Sequence, residues 1–138
     1  MLQIKKGTIE KILNKDKRTV CFGAGSLAEF MLCSYPELLK QENFIFVDNN
    51  ESKDGIYLCI QDVKIPIYSL NHFKQLGMKD FILIIVPVFF QKIVEQLDKD
   101  EYFEGIETYL YPLLSAEENK EKSYSIRNTD KPFFPNQQ

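Results

Sequence analysis

Hydrophobic and polar positions fall into two alternating patterns along the chain. Short apolar runs typical of strands occupy residues 19–22, 44–47, 81–86 and 106–110. The segments between them carry apolar residues at helical spacing. Strands that alternate with helices form a parallel sheet covered by helices. The pattern therefore predicts an α/β fold, a three-layer sandwich with about four parallel strands.

The apolar runs also predict where each strand lies in the sheet. Residues 81–86 contain no polar side chain, which is typical of a strand buried on both faces in the middle of a parallel sheet. We expect residues 20–22 to be central as well. In residues 106–110, apolar positions alternate with Glu107, and this pattern favours a strand nearer an edge of the sheet. Residues 51–63 show no clear pattern and are compatible with a short strand or an irregular segment.

Composition divides the chain into three segments. We predict an N-terminal helix in residues 1–17, capped by Thr8. The α/β domain is predicted to span residues 18–114, and residues 115–138 are predicted to form a polar tail. The tail contains Phe133 and Phe134 between two prolines, and exposed aromatic rings are costly in water. We hypothesise that this pair docks on a neighbouring subunit or on the first helix.

Charge and cysteine content exclude several classes of protein. The net charge of −3 gives no electrostatic case for binding nucleic acid. Three cysteines form neither a disulfide framework nor a zinc spacing, so we predict no metal and a reducing, cytoplasmic environment. The longest apolar run is too short to span a bilayer, so no membrane partner is expected.

Residues 23–28 read GAGSLA, which fits the pattern G-x-G-x-x-A. The motif follows a predicted strand and opens a predicted helix, an arrangement that places backbone donors and a helix N-terminus against phosphate. Asp48 follows the second strand roughly 20 residues later, where an acidic side chain can accept hydrogen bonds from a ribose. The predicted ligand-binding residues are Gly23, Ala24, Gly25, Ser26, Asp48 and Asn49. A turn that only connects strand to helix is the alternative.

The acidic residue also bears on which ligand is expected. Asp48 would repel a 2′-phosphate, and no arginine lies close by in the sequence. NAD or a UDP-sugar is therefore favoured over NADP. A methyltransferase is less well supported, because Cys21 and Phe22 stand where an acidic residue would precede the glycines.

Four segments, at residues 20–25, 46–50, 65–69 and 82–86, come in an order that resembles a known family. This family comprises small Rossmann-like domains at the N-terminus of PglD-type sugar acyltransferases. Similar domains are joined to glycosyltransferases and methyltransferases in bacterial surface-polysaccharide pathways. The resemblance implies a Rossmann-like fold and binding of the UDP part of a nucleotide sugar, with Gly23, Gly25 and Asp48 beside the ligand. In that family acetyl transfer takes place on a following left-handed β-helix. This sequence has no hexapeptide repeat, so acyl transfer is not implied.

We thus predict a nucleotide or nucleotide-sugar binding module of sugar or cell-surface polysaccharide metabolism, working with a partner enzyme or as a homo-oligomer. Two alternatives stay open: an interaction subunit that has the fold without a ligand, and a small transferase whose site forms at an oligomer interface. No catalytic residue is predicted. We interpret His72 as a surface residue of a short helix. The sequence indicates no base partner for the cysteines that would make them nucleophiles.

Overall fold

The computed structural model describes residues 1–41 and 44–116, which form a seven-stranded sheet flanked by helices. The strands are β1 (Gln3–Ile4), β2 (Arg18–Phe22), β3 (Ile45–Asp48), β4 (Tyr57–Ile60), β5 (Val63–Ser69), β6 (Phe81–Ile85) and β7 (Glu107–Leu110). The α-helices are α1 (Ile9–Leu13), α2 (Ser26–Ser34), α3 (Leu70–Gln75) and α4 (Phe90–Asp98). Short 3₁₀ turns cover Pro36–Lys40, Glu51–Lys53 and Glu101–Phe103, and residues 111–116 are helical.

The strand order is β1-β7-β6-β2-β3-β5-β4. All neighbouring strands are parallel except β4, which runs antiparallel to β5. The chain moves outward from β2 to β3 and β5, then crosses back to β6 and β7 on the other side of β2. The direction of winding therefore reverses between β2 and β6, and ligands of open α/β sheets bind at such a point.

Alternate residues of the central strands feed two separate cores. Cys21 packs in the core under α1 and α2, whereas Val20 and Phe22 pack in the core under α3 and α4. Helices thus cover both faces of the sheet, and the predicted α/β fold is confirmed. β6 is buried along its whole length, as expected for a central strand.

The predicted count of about four parallel strands is wrong. Six strands are parallel and a seventh is antiparallel. β1 has only two residues, too few to give a pattern, and β5 contains Pro66, a residue that is unfavourable in the interior of a strand. β7 lies second from the edge because β1 pairs with its outer side.

The stretch at residues 51–63 includes one strand of a β-hairpin. Gln61 and Asp62 form its turn with φ values of 50° and 67°. Two-residue hairpin turns with positive φ at both positions favour Asn-Gly or Asp-Gly. Gln-Asp lacks that signal, so the hairpin could not be recognised from the sequence.

The predicted cap at Thr8 is confirmed, since its side chain accepts a hydrogen bond from the Lys11 N–H. The helix that follows is shorter than the predicted 1–17 segment, because residues 3–4 pair with β7 as a strand. Ser69 caps α3 in the same way and accepts a hydrogen bond from the His72 N–H. On the first helix, one of the two expected docking sites for the tail, Ile9 is fully buried. The predictions for Phe133 and Phe134 fall on residues 117–138, outside the described residues.

None of the helices in residues 1–41 and 44–116 is long and apolar enough to cross a membrane.

Candidate functional site

The loop that joins β2 to α2, residues 23–25, is called the glycine loop here. Its first residue, Gly23, has a backbone φ of +109°, a conformation that residues with a side chain rarely adopt. A Cβ at this position would lie 2.6 Å from the Pro87 Cδ. The Gly23 N–H donates to the Val47 carbonyl oxygen over 2.8 Å. Gly23 is therefore required by the close approach of the loop to the segment that follows β6.

Gly25 differs from Gly23 because it faces open space. A Cβ at Gly25 would meet no atom within 4 Å, and its φ of −114° suits any residue. Gly25 is the N-cap of α2, where it supplies no side chain to accept the first backbone N–H groups. Those groups have no partner within a helix. They are available to an anion that approaches the loop.

The glycine loop opens on a cleft of about 510 Å³, a size that suits a small-molecule ligand. Its walls come from the segments that follow β2, β3 and β6, so it lies at the carboxyl ends of the parallel strands. The glycine loop and Asp48 therefore line one cleft. The lining residues are Gly23, Ala24, Gly25, Ser26, Leu27, Ala28, Asp48, Asn50, Lys53, Val86, Pro87, Val88 and Phe89.

Asp48 fastens the glycine loop to the end of β3. Its Oδ2 accepts the Ala24 N–H and its Oδ1 accepts the Asn50 N–H, each over 2.8 Å. Its side chain is only 15% exposed. A ribose hydroxyl would have to share these two oxygens with the backbone, so Asp48 has a structural role that needs no ligand.

Lys53 brings a positive charge into the cleft. Its Nζ donates to the Ala24 carbonyl oxygen over 3.0 Å and lies 3.8 Å from the Asp48 Oδ2. Among the described residues that line the cleft, Lys53 alone is positively charged. Sequence reasoning missed this lysine because it lies in a segment without periodicity. The 3₁₀ turn that carries it begins at Asn50, whose Oδ1 accepts the Ser52 N–H over 3.1 Å.

Asn49, predicted as a ligand neighbour, does not line the cleft. Its side-chain amide exchanges two hydrogen bonds with Gln96 of α4, over 2.8 and 3.0 Å. Asn50 contributes to the cleft wall in its place. The carboxyl end of a strand predicts the region of a site, but the twist of the following loop decides which of two adjacent asparagines faces it.

The segment after β6 provides an apolar wall. Val88 is 71% exposed and Phe89 is 62% exposed, although both are large hydrophobic residues. Both line the cleft beside Pro87. This wall of the cleft is therefore apolar, in contrast to the polar wall that contains Asp48 and Lys53.

His72 lies outside the cleft and pairs with Asp54. The His72 Nδ1 is 3.0 Å from the Asp54 Oδ1, which also accepts the Ser69 N–H over 2.7 Å. The Ser69 hydrogen bond, assisted by His72, holds the pKa of Asp54 below its ordinary value. This pair ties α3 to the loop that follows Lys53.

The cysteines do not contribute to the cleft. Cys21 is fully buried in β2, and burial raises the pKa of its thiol far above the ordinary value, which leaves it protonated. Cys33 and Cys59 are exposed at other places. In the part of the chain that the structure describes, no group of three or more His, Cys, Asp or Glu residues could hold a metal ion.

Comparison of the chain with protein-family models, curated proteins and solved structures found no match.

Proposed function

We propose that the chain is a nucleotide or nucleotide-sugar binding module. The observation that carries the proposal is the convergence of the glycine loop, the N-terminus of α2 and Lys53 on one cleft at the carboxyl ends of the strands. Backbone N–H groups at a helix N-terminus bind phosphate through hydrogen bonds and through the helix dipole. The Lys53 ammonium in the same cleft balances the Asp48 carboxylate 3.8 Å away and supplies N–H donors for a phosphate oxygen.

The strand order supports a Rossmann-like assignment for the fold. Doubly wound sheets of this type bind nucleotides where the strand order reverses, and the cleft lies at that reversal. The order of segments that resembles PglD-type domains favours a UDP-sugar, with NAD as the second choice. We therefore place the module in cytoplasmic sugar or cell-surface polysaccharide metabolism, acting with a partner domain or subunit.

A calorimetric titration with UDP, UDP-glucose, NAD and NADP tests the proposal. We expect binding of UDP-type ligands or NAD. The comparison of NAD with NADP shows whether the Asp48–Lys53 pair discriminates against a 2′-phosphate. Gly25→Val should abolish binding without unfolding the protein, since Gly25 lines the cleft and an added Cβ meets no protein atom within 4 Å. Gly7→Ala is the matched glycine control, because Gly7 lies outside the cleft and has room for a Cβ. No binding by the wild type, or equal binding by Gly25→Val, contradicts the proposal.

The second candidate is an interaction subunit without a ligand. The exposure of Val88 and Phe89 favours it, because a partner protein could cover both side chains. In that case nucleotides should not bind, and substitution of Phe89 should weaken the partner complex while Gly25→Val leaves it intact.

A further inference from the structure

The cleft has two chemically different walls. Because β3 and β6 lie on opposite sides of β2, the segments that follow them face each other across the glycine loop. The wall after β3 is polar and contains Asp48, Asn50 and Lys53. The wall after β6 is apolar and includes Val88 and Phe89. A ligand that fits both walls has a charged part and an apolar part.

On the polar wall, Lys53 has more capacity for a ligand than Asp48. Both Asp48 oxygens already accept backbone N–H groups, and the side chain is 15% exposed. The Lys53 side chain is 31% exposed. Its ammonium carries three N–H donors, and one of them reaches the Ala24 carbonyl oxygen. The remaining donors can bind a phosphate oxygen beside the glycine loop.

On the apolar wall, folding does not explain Phe89. The residue is the N-cap of α4, a position that favours Ser, Thr, Asp or Asn, and it makes no capping hydrogen bond. Its side chain is 62% exposed, so it contributes little to the core. Residues that break a local rule without a gain in packing are expected at functional sites. An exposed aromatic ring in a cleft provides a surface on which a flat ring can stack.

From this arrangement, and resting on the proposed function, we propose that the cleft binds a nucleoside diphosphate in a defined orientation. The diphosphate lies against Lys53 and the glycine loop, and the base stacks on Phe89. The base is placed on this wall because the opposite wall offers no apolar surface, and its carboxylate is already bound to the backbone. Lys53 and Phe89 are therefore the residues that select the ligand.

Titrations of the wild type, two cleft variants and one control variant test the orientation. The probes are inorganic pyrophosphate, UDP, UDP-glucose and uridine, with ADP and adenosine as the purine equivalents. We expect Lys53→Met to weaken binding of the diphosphates roughly tenfold or more, the effect of a lost charged hydrogen bond, without changing nucleoside binding. Phe89→Ala should weaken binding of nucleosides and nucleotides roughly tenfold, as for loss of base stacking, and leave pyrophosphate unchanged. Lys64→Met removes an exposed lysine of the β4–β5 hairpin and should change nothing.

The possible failures are distinguishable. If the wild type binds neither a nucleoside diphosphate nor NAD, the proposed function itself is overturned. If it binds NAD but neither UDP nor ADP, the proposed function stands and this inference is overturned. If it binds UDP or ADP and both variants bind equally well, only the orientation is overturned. If Phe89→Ala weakens UDP-glucose but not UDP, a sugar ring rather than the base lies on Phe89, and the assignment of the base is wrong.

Discussion

Gly23 and Gly25 stand two residues apart in the same loop and are glycines for opposite reasons. Gly23 is fixed by its φ of +109° and by Pro87, whose Cδ would be 2.6 Å from a Cβ. Gly25 has an ordinary backbone conformation and nothing within 4 Å. The first glycine is explained by packing alone, whereas the second is not explained by the fold.

The same contrast separates the residues that build the cleft from those that face it. Gly23 and Asp48 hold the glycine loop in place through packing and backbone hydrogen bonds. Gly25, Lys53 and Phe89 line the open part of the cleft, and folding alone does not account for Gly25 and Phe89. Substitutions in the first group should lower stability, and substitutions in the second should lower binding.

The largest expected effect on stability is that of Gly23→Ala. Overpacking against Pro87 and the strain of a positive φ should together lower the free energy of unfolding by about 3–5 kcal/mol. Gly25→Ala should stay within about 0.5 kcal/mol of the wild type, as for an exposed position without strain. Urea denaturation of both variants measures the difference. Similar losses in the two variants would break the distinction between the glycines.

Asp48→Ala should have the second-largest effect on stability. Two backbone N–H groups would lose a charged acceptor, which should lower the free energy of unfolding by about 2 kcal/mol. Asp48→Asn, which keeps one oxygen in place, should cost less. If thermal unfolding shows wild-type stability for Asp48→Ala, the carboxylate does not fasten the loop, and its role lies with the ligand.

A smaller effect with a distinct pH dependence is expected at Asp54. The Ser69 N–H and His72 lower its pKa below 3.8, so the ionised form is the stabilising one. The contribution of the Ser69 hydrogen bond is present at neutral pH and is lost as the pH falls below 3.8 through the lowered pKa. Melting curves between pH 2 and pH 7 should therefore show wild type and Asp54→Asn converging in acid. A stability difference that stays constant with pH would contradict this role.

The smallest effects on stability are expected for substitutions of Phe89 and Lys53, which lie on the two walls of the cleft. Phe89→Ala should change the free energy of unfolding by less than about 0.5 kcal/mol, because the ring is exposed and caps nothing. Lys53→Met should cost less than about 1 kcal/mol, the usual contribution of a partly exposed ion pair. A large loss of unfolding free energy in either variant, measured by urea denaturation, would show that the residue supports the fold of the cleft rather than only facing it.

The sequence was informative where a signal is local and repeated. Continuous apolar runs predicted the central strands, and the spacing of the glycines and Asp48 predicted that they share one cleft. The β4–β5 hairpin was missed because Gln61 and Asp62 lack the usual turn residues, and β1 because two residues make no pattern. Lys53 and Phe89 reach the cleft only through tertiary folding, so no local pattern could have assigned them to it.

The most direct test of the central claim is a titration of the ¹⁵N-labelled protein with UDP, followed by amide NMR spectra. The account predicts that shift changes concentrate in the three segments that form the cleft, at residues 23–28, 48–53 and 86–89, and that Gly25→Val removes them. A spectrum that does not change at millimolar UDP, or changes that cluster elsewhere on the protein, would contradict it.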